Sequence, residues 1–96
     1  MSTLHQIQDP SPALLDELAN VIGEDDAVIL LGRAVALNSL LAGQIGFESV
    51  QVYIRQSDAD ACGVTTENCS TALLISDDQW VELSLKHSKT ISWKQS

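Results

Sequence analysis

Ala27-Val28-Ile29-Leu30-Leu31 is an unbroken apolar run, rich in β-branched and aliphatic side chains. A strand with one wet face alternates polar and apolar residues, whereas a strand covered on both faces does not. The run therefore predicts an interior strand of a parallel sheet with helices on each side. Gly32 closes it. On the N-terminal side, residues 12–22 carry Leu14, Leu15, Leu18 and Ile22 at helical spacing, with Asp16, Glu17 and Asn20 on the other side. Ser11 suits an N-cap, Pro12 the first helical position, and Gly23 the stop. Residues 3–7 before the Asp9-Pro10-Ser11-Pro12 break predict a short first strand.

Further along, residues 34–42 are rich in Ala and Leu and predict a short buried helix, with Gly43 and Gly46 at its exit. Val50-Gln51-Val52-Tyr53-Ile54 is the third strand by its β-branched and aromatic content. Residues 57–62 form a short helix with Ser57 as a cap and Gly63 as its stop. Polar residues 64–70 read as a loop, and residues 71–75 as a fourth strand. Ser76-Asp77-Asp78-Gln79 has the capping-box spacing, and the helix continues from Trp80 through His87. Asp77 and Asp78 lie at its positive end and Lys86 and His87 at its negative end. Residues 90–93 predict a last strand. Regular alternation of strand and helix implies an α/β fold, a mainly parallel five-stranded sheet in one domain spanning residues 1–96.

Charge and cysteine usage narrow the function classes. Thirteen acids against five bases give the 96-residue chain a net charge of −8. Nucleic-acid surfaces need clustered Lys and Arg, and here Arg33 and Arg55 are far apart while Lys86, Lys89 and Lys94 sit near the C-terminus. Direct nucleic-acid binding is not expected; a basic protein surface suits this charge better. The first residues lack a basic stretch followed by an apolar run, so no signal peptide is expected. The apolar stretches are far short of a membrane span. Cys62 and Cys69 form neither a CxxC motif nor a disulfide framework. A reducing cytoplasm follows as the expected location.

Motifs for chemistry are sparse. There is no Gly-x-Ser-x-Gly elbow, and His5 and His87 are the only histidines. His5 reads as a hydrogen-bonded residue near a strand end, His87 as a helix-terminal charge partner. Two cysteines and two distant histidines do not give zinc-ligand spacing. Gly32-Arg33 sits at a strand-to-helix turn, where anions bind, but GxGxxG and a Walker lysine are missing. No cofactor is expected, and Arg33 is a candidate interface residue. A persulfide carrier needs an accessible thiol with its thiolate favoured. Cys62 falls near a helix C-terminus, which disfavours the thiolate, and Cys69 has no adjacent base. Structural roles fit both better. Trp93 either packs on the core edge or anchors a subunit interface.

Taken together, these residues resemble the TusB/DsrH family. Leu4-His5 followed by Ser11-Pro12 is similar to the family's opening. Gly23-Glu24-Asp25-Asp26 before the aliphatic strand, Val50-Gln51-Val52-Tyr53, and Asp58-x-x-Ala61-x-Gly63-Val64 resemble later segments. Leu83-Ser84-Leu85-Lys86-His87 with the late Trp93 is the most specific piece. The resemblance implies a three-layer α/β/α subunit, DsrEFH-like, in a cytoplasmic heterohexamer with TusC-like and TusD-like sister subunits. It implies a relay of persulfide sulfur, from donor to acceptor proteins, toward 2-thiolation of the tRNA wobble uridine, or sulfur oxidation in the Dsr branch. The accepting cysteine of such a complex belongs to the TusD-like chain.

Three departures bear on function. DsrH proteins of sulfur oxidisers often carry a cysteine in helix 1, and here Leu18 lies near that place. The acidic-glycine turn after strand 2 is replaced by Gly32-Arg33-Ala34. Cys62 stands where the family has a basic residue, so neither cysteine inherits a role. The expectation is a non-catalytic sulfur-relay subunit, with His5, Arg33, Lys86, His87 and Trp93 as interface candidates. The alternative is a sulfur carrier acting through Cys62 or Cys69.

Overall fold

The computed structural model describes residues 2–9, 11, 13–23, 25–37, 50–63 and 72–93. Five strands form one sheet: β1 (Thr3–Ile7), β2 (Ala27–Leu30), β3 (Gln51–Arg55), β4 (Leu73–Ile75) and β5 (Lys89–Trp93). Their spatial order is β4-β3-β2-β1-β5, and every pairing is parallel. Among the described residues the connections contain three α-helices, α1 (Ala13–Ala19), α2 (Gln56–Ala61) and α3 (Asp77–Lys86), together with a 3₁₀ segment, Gly32–Leu37.

Crossover handedness explains the layering. Parallel connections are almost always right-handed. Steps β1 to β2, β2 to β3 and β3 to β4 move one way across the sheet, so their connections share one face. The step from β4 returns past the whole sheet to β5 beside β1, so α3 takes the other face. The core divides accordingly. Ile7, Val28, Leu30, Val52 and Ile54 pack with Leu14, Leu15 and Leu18 of α1, Val35 of the 3₁₀ segment and Ala59 of α2. Leu4, Ala27, Ile29, Leu31 and Ile75 pack with Leu83 of α3 and with Tyr53 and Trp80. All four residues of β2 are buried, as the apolar run predicts. Each fully buried Leu or Ile contributes about 1.5–3 kcal/mol.

Some local signals hold and others shift. The capping box forms: the Gln79 amide donates to Ser76 Oγ, and the Ser76 amide donates to Gln79 Oε1. The first α-helix ends at Ala19, with turns continuing to Ile22 through the Ile22 amide on the Leu18 carbonyl. Ser57 does not cap α2; the N-cap is Arg55, with no side-chain cap bond. Residues 34–37 belong to a 3₁₀ segment rather than an α-helix, because its first turn closes three residues apart, Ala34 amide to Leu31 carbonyl. The remainder of that expected helix, Pro12, Gly43, Gly46, the 64–70 loop, Cys69, Thr71 and Lys94 lie outside the described residues. Gly32 enters the 3₁₀ segment at φ +56° and Gly63 follows α2 at φ +74°, both in the left-handed region that glycine occupies freely. Among the described residues, no helix is long and apolar enough to cross a membrane.

Candidate functional site

His5 lies on the α1 side of β1 and is the buried polar residue of the described core, 2% exposed. Its register partners are Val28 on β2 and Ile91 on β5. A buried imidazole needs partners for both nitrogens, and both are supplied. The Trp93 indole N–H donates to His5 Nδ1 at 3.1 Å. An indole nitrogen can only donate, so Nδ1 is the acceptor and the ring proton sits on Nε2. Nε2 then donates to Asp26 Oδ2 at 3.0 Å. The two rings are tilted by 39° with centroids 6.2 Å apart.

Asp26 sits just before β2 and gathers further donors. The Thr3 amide reaches Oδ1 and the Gly23 amide reaches Oδ2, each at 2.9 Å. Burial by itself raises the carboxyl's pKa; the Gly23 amide, His5 and the Thr3 amide outweigh it and hold the pKa below its ordinary 3.8. One carboxylate thus joins the start of β1, the α1–β2 turn and His5. This triple contact is structurally capable but chemically closed: a sealed imidazole cannot reach an external substrate.

A second cluster forms at the carboxyl end of β3. Arg55 Nε and a terminal guanidinium nitrogen donate to Asp77 at 2.7 and 3.2 Å. The guanidinium also faces Asp58 at 3.7 Å and lies 5.4 Å from the Trp80 ring. The Asp77 hydrogen bond raises the Arg55 pKa, and the Arg55 bond lowers that of Asp77. Arg55 thereby fixes the N-terminus of α3 against β3.

The remaining sequence candidates are spread over both ends of the sheet. Arg33 is exposed on the 3₁₀ segment beyond β2. Cys62 caps α2, exposed, with its Sγ 3.9 Å from the Gly32 carbonyl. Lys86 and His87 close α3 at the opposite end, where His87 Nδ1 donates to the Leu83 carbonyl at 2.9 Å. Lys86 lines a cleft of about 160 Å³ with Tyr53, Ile75, Gln79, Glu82 and Leu83. Of the candidates, the structure brings His5 and Trp93 into contact; Arg33 and Cys62 stand apart from them. Asp26 and Arg55 were not singled out from the sequence. Asp26 stood inside the acidic turn, whose composition signals exposure rather than a buried acceptor. Among the described residues, no group of three or more His, Cys, Asp or Glu could hold a metal ion.

A protein-family model described as DsrH like protein matches residues 10–90. The chain belongs to this DsrH-like family. Relatives of the DsrH-like chain include Protein TusB of Pectobacterium parmentieri, 30% identical over 95 residues, spanning 94% of this chain and 99% of the relative. Protein TusB of Pectobacterium atrosepticum is 28% identical with the same coverage. Among solved structures, the ychN protein from E. coli superposes with a TM-score of 0.63 at 16% identity, covering 97% of this chain and all of that one. That likeness bears on the fold, and it matches a DsrEFH-like α/β architecture. The family name supports a sulfur-relay subunit.

Proposed function

We propose that this DsrH-like chain is a non-catalytic, single-domain subunit of a TusBCD-like complex supporting 2-thiolation of the tRNA wobble uridine. It works in the cytoplasm, in a heterohexamer with TusC-like and TusD-like sister subunits. The observation that carries this reading is Leu18. Where sulfur-oxidising relatives often present a helix-1 cysteine, this chain has a leucine that is 0% exposed in the core. His5, the one imidazole inside the fold, is consumed by Asp26 and Trp93 and cannot activate a thiol. Sulfur transfer is then assigned to a sister chain, while this one supports and shapes the assembly.

The surface we assign to the sister chains includes the outer side of α3. Val81 and Leu85, one turn apart, are 57% and 79% exposed, an arrangement that leaves apolar area in water. Lys86 and His87 extend it, with Arg33 and Trp93 as further candidates; His5 acts there by holding Trp93. The test is co-expression with TusC-like and TusD-like chains. A stable complex of all three is expected, and a chain that stays monomeric in their presence refutes the reading.

The exposure of Cys62 favours a second reading, a sulfur carrier through Cys62 or Cys69. Incubation with a persulfide-loaded donor and assay for cyanide-labile sulfur separates the two. The scaffold reading expects none on this chain; sulfur that disappears in Cys62→Ser or Cys69→Ser supports the carrier. A third, DsrH-like role in sulfur oxidation would show as assembly with sister chains without effect on tRNA thiolation.

A further inference from the structure

The contact of His5 with Trp93 has only one compatible protonation state. Nδ1 must be bare to accept the indole N–H, and Nε2 must carry the proton given to Asp26. A second proton can enter only at Nδ1, where it would meet the indole N–H head-on. Two donors cannot share that contact. The ion pair on the other side of the ring would meanwhile grow stronger, because Asp26 would face an imidazolium.

The charges around the ring give the same direction. Asp26, before β2, is the acidic group in hydrogen-bond contact with His5 among the described residues. Helix α1, packed over this face, turns Leu14, Leu15 and Leu18 inward and keeps Asp16 and Glu17 exposed. Strand β5 contributes Trp93 and the uncharged Ile91. Asp26 remains ionised while imidazoles titrate: burial raises its carboxyl pKa, but the amides of Gly23 and Thr3 and the His5 bond lower it further. Burying an imidazolium costs free energy, and the Asp26 carboxylate at 3.0 Å offsets part of that cost.

We propose that His5, Asp26 and Trp93 form an acid-released latch, in which protonation of His5 at Nδ1 retains the Asp26 pair and ejects the Trp93 indole from the edge of the sheet. The proton comes from solvent, and no bond other than hydrogen bonds changes. The backbone pairing of β5 with β1 stays, since the Gln8 amide still donates to the Trp93 carbonyl. The switch therefore exposes one aromatic side chain at a strand edge, without unfolding, and stands independently of the assembly reading.

The test is an NMR titration of the whole chain from about pH 8 to about pH 5, the span in which imidazoles change charge. The expected result is a shift of the Trp93 indole N–H whose midpoint coincides with that of the His5 ring carbons. Its hydrogen exchange, corrected for pH, should rise by roughly tenfold, the loss of one hydrogen bond. The Trp80 indole, stacked against Arg55, should show neither change. The Trp93 transition should persist in His87→Gln and vanish in His5→Gln. A Trp93 indole that stays put while His5 titrates overturns the proposal. So does a His5 ring that takes up no proton over this span. Should His5→Gln fail to fold, the coincidence of midpoints in the wild-type chain remains the deciding measurement.

Discussion

Asp26 accepts from two backbone amides and one imidazole, so replacing it disturbs three partners at once. Asp26→Asn keeps the shape but sets an NH₂ against donors. A loss of about 1–3 kcal/mol is expected in urea unfolding at neutral pH, chiefly the cost of leaving the buried His5 Nε2 donor unpaired. The pH dependence follows from the direction of its shift. The folded-state pKa lies below the ordinary 3.8, so the ionised form stabilises the fold fully above that value. That contribution is lost as pH falls below 3.8 through the folded-state pKa. The gap between wild type and Asp26→Asn should therefore shrink in strong acid. At Gly32 the constraint is the backbone alone, since an added Cβ would meet nothing within 4 Å. Gly32→Ala should cost about 1–2 kcal/mol, the penalty of a left-handed non-glycine residue, measured as a lowered urea midpoint. This residue-level network was the least legible part of the sequence. His5 is separated from Asp26 by 21 positions and from Trp93 by 88. Local periodicity carries no information at such separations, and the sequence could offer Trp93 only as core edge or interface.

Among the elements, α3 combines the capping box with Leu85, the most exposed large apolar side chain among the described residues at 79%. The capping box satisfies two amides at its N-terminus, and Ser76→Ala should destabilise by about 1 kcal/mol, seen as a lower thermal midpoint. Leu85→Glu should leave the isolated chain's melting temperature nearly unchanged, because the side chain is already in water. In the co-expression experiment the same change should weaken capture of the sister chains by about tenfold or more, as a charge at an apolar contact does. Unchanged capture would remove the outer side of α3 from the assigned surface. The ends of α3 were readable because caps and dipole-matched charges act within a few residues. The 3₁₀ segment was not: Ala and Leu content argues for an α-helix, while the turn out of Gly32 imposes tighter closure. The edge strand β5 exposes Lys89, Thr90 and Ser92, so it lacks the unbroken apolar run that marks β2.

For the molecule as a whole, an excess of eight negative charges opposes compaction through self-repulsion. Raising ionic strength from about 0.01 M to about 0.15 M shortens the screening length from about 30 Å to about 8 Å. Thermal denaturation should move to higher temperature across that interval; a downward move would mean that ion pairs outweigh the repulsion. The layered α/β plan was legible from β2 and the alternation of elements, whereas the division of the core between two faces followed from the order of strands. That order has a kinetic side. Strand β1 is flanked by β2 and by β5, the last described strand to be synthesised. On the ribosome its second neighbour therefore arrives late, and until then a hydrogen-bonding edge one strand in from the rim of the future sheet stays open. Such distant pairing makes for slow closure and a period of vulnerability to association with other nascent chains.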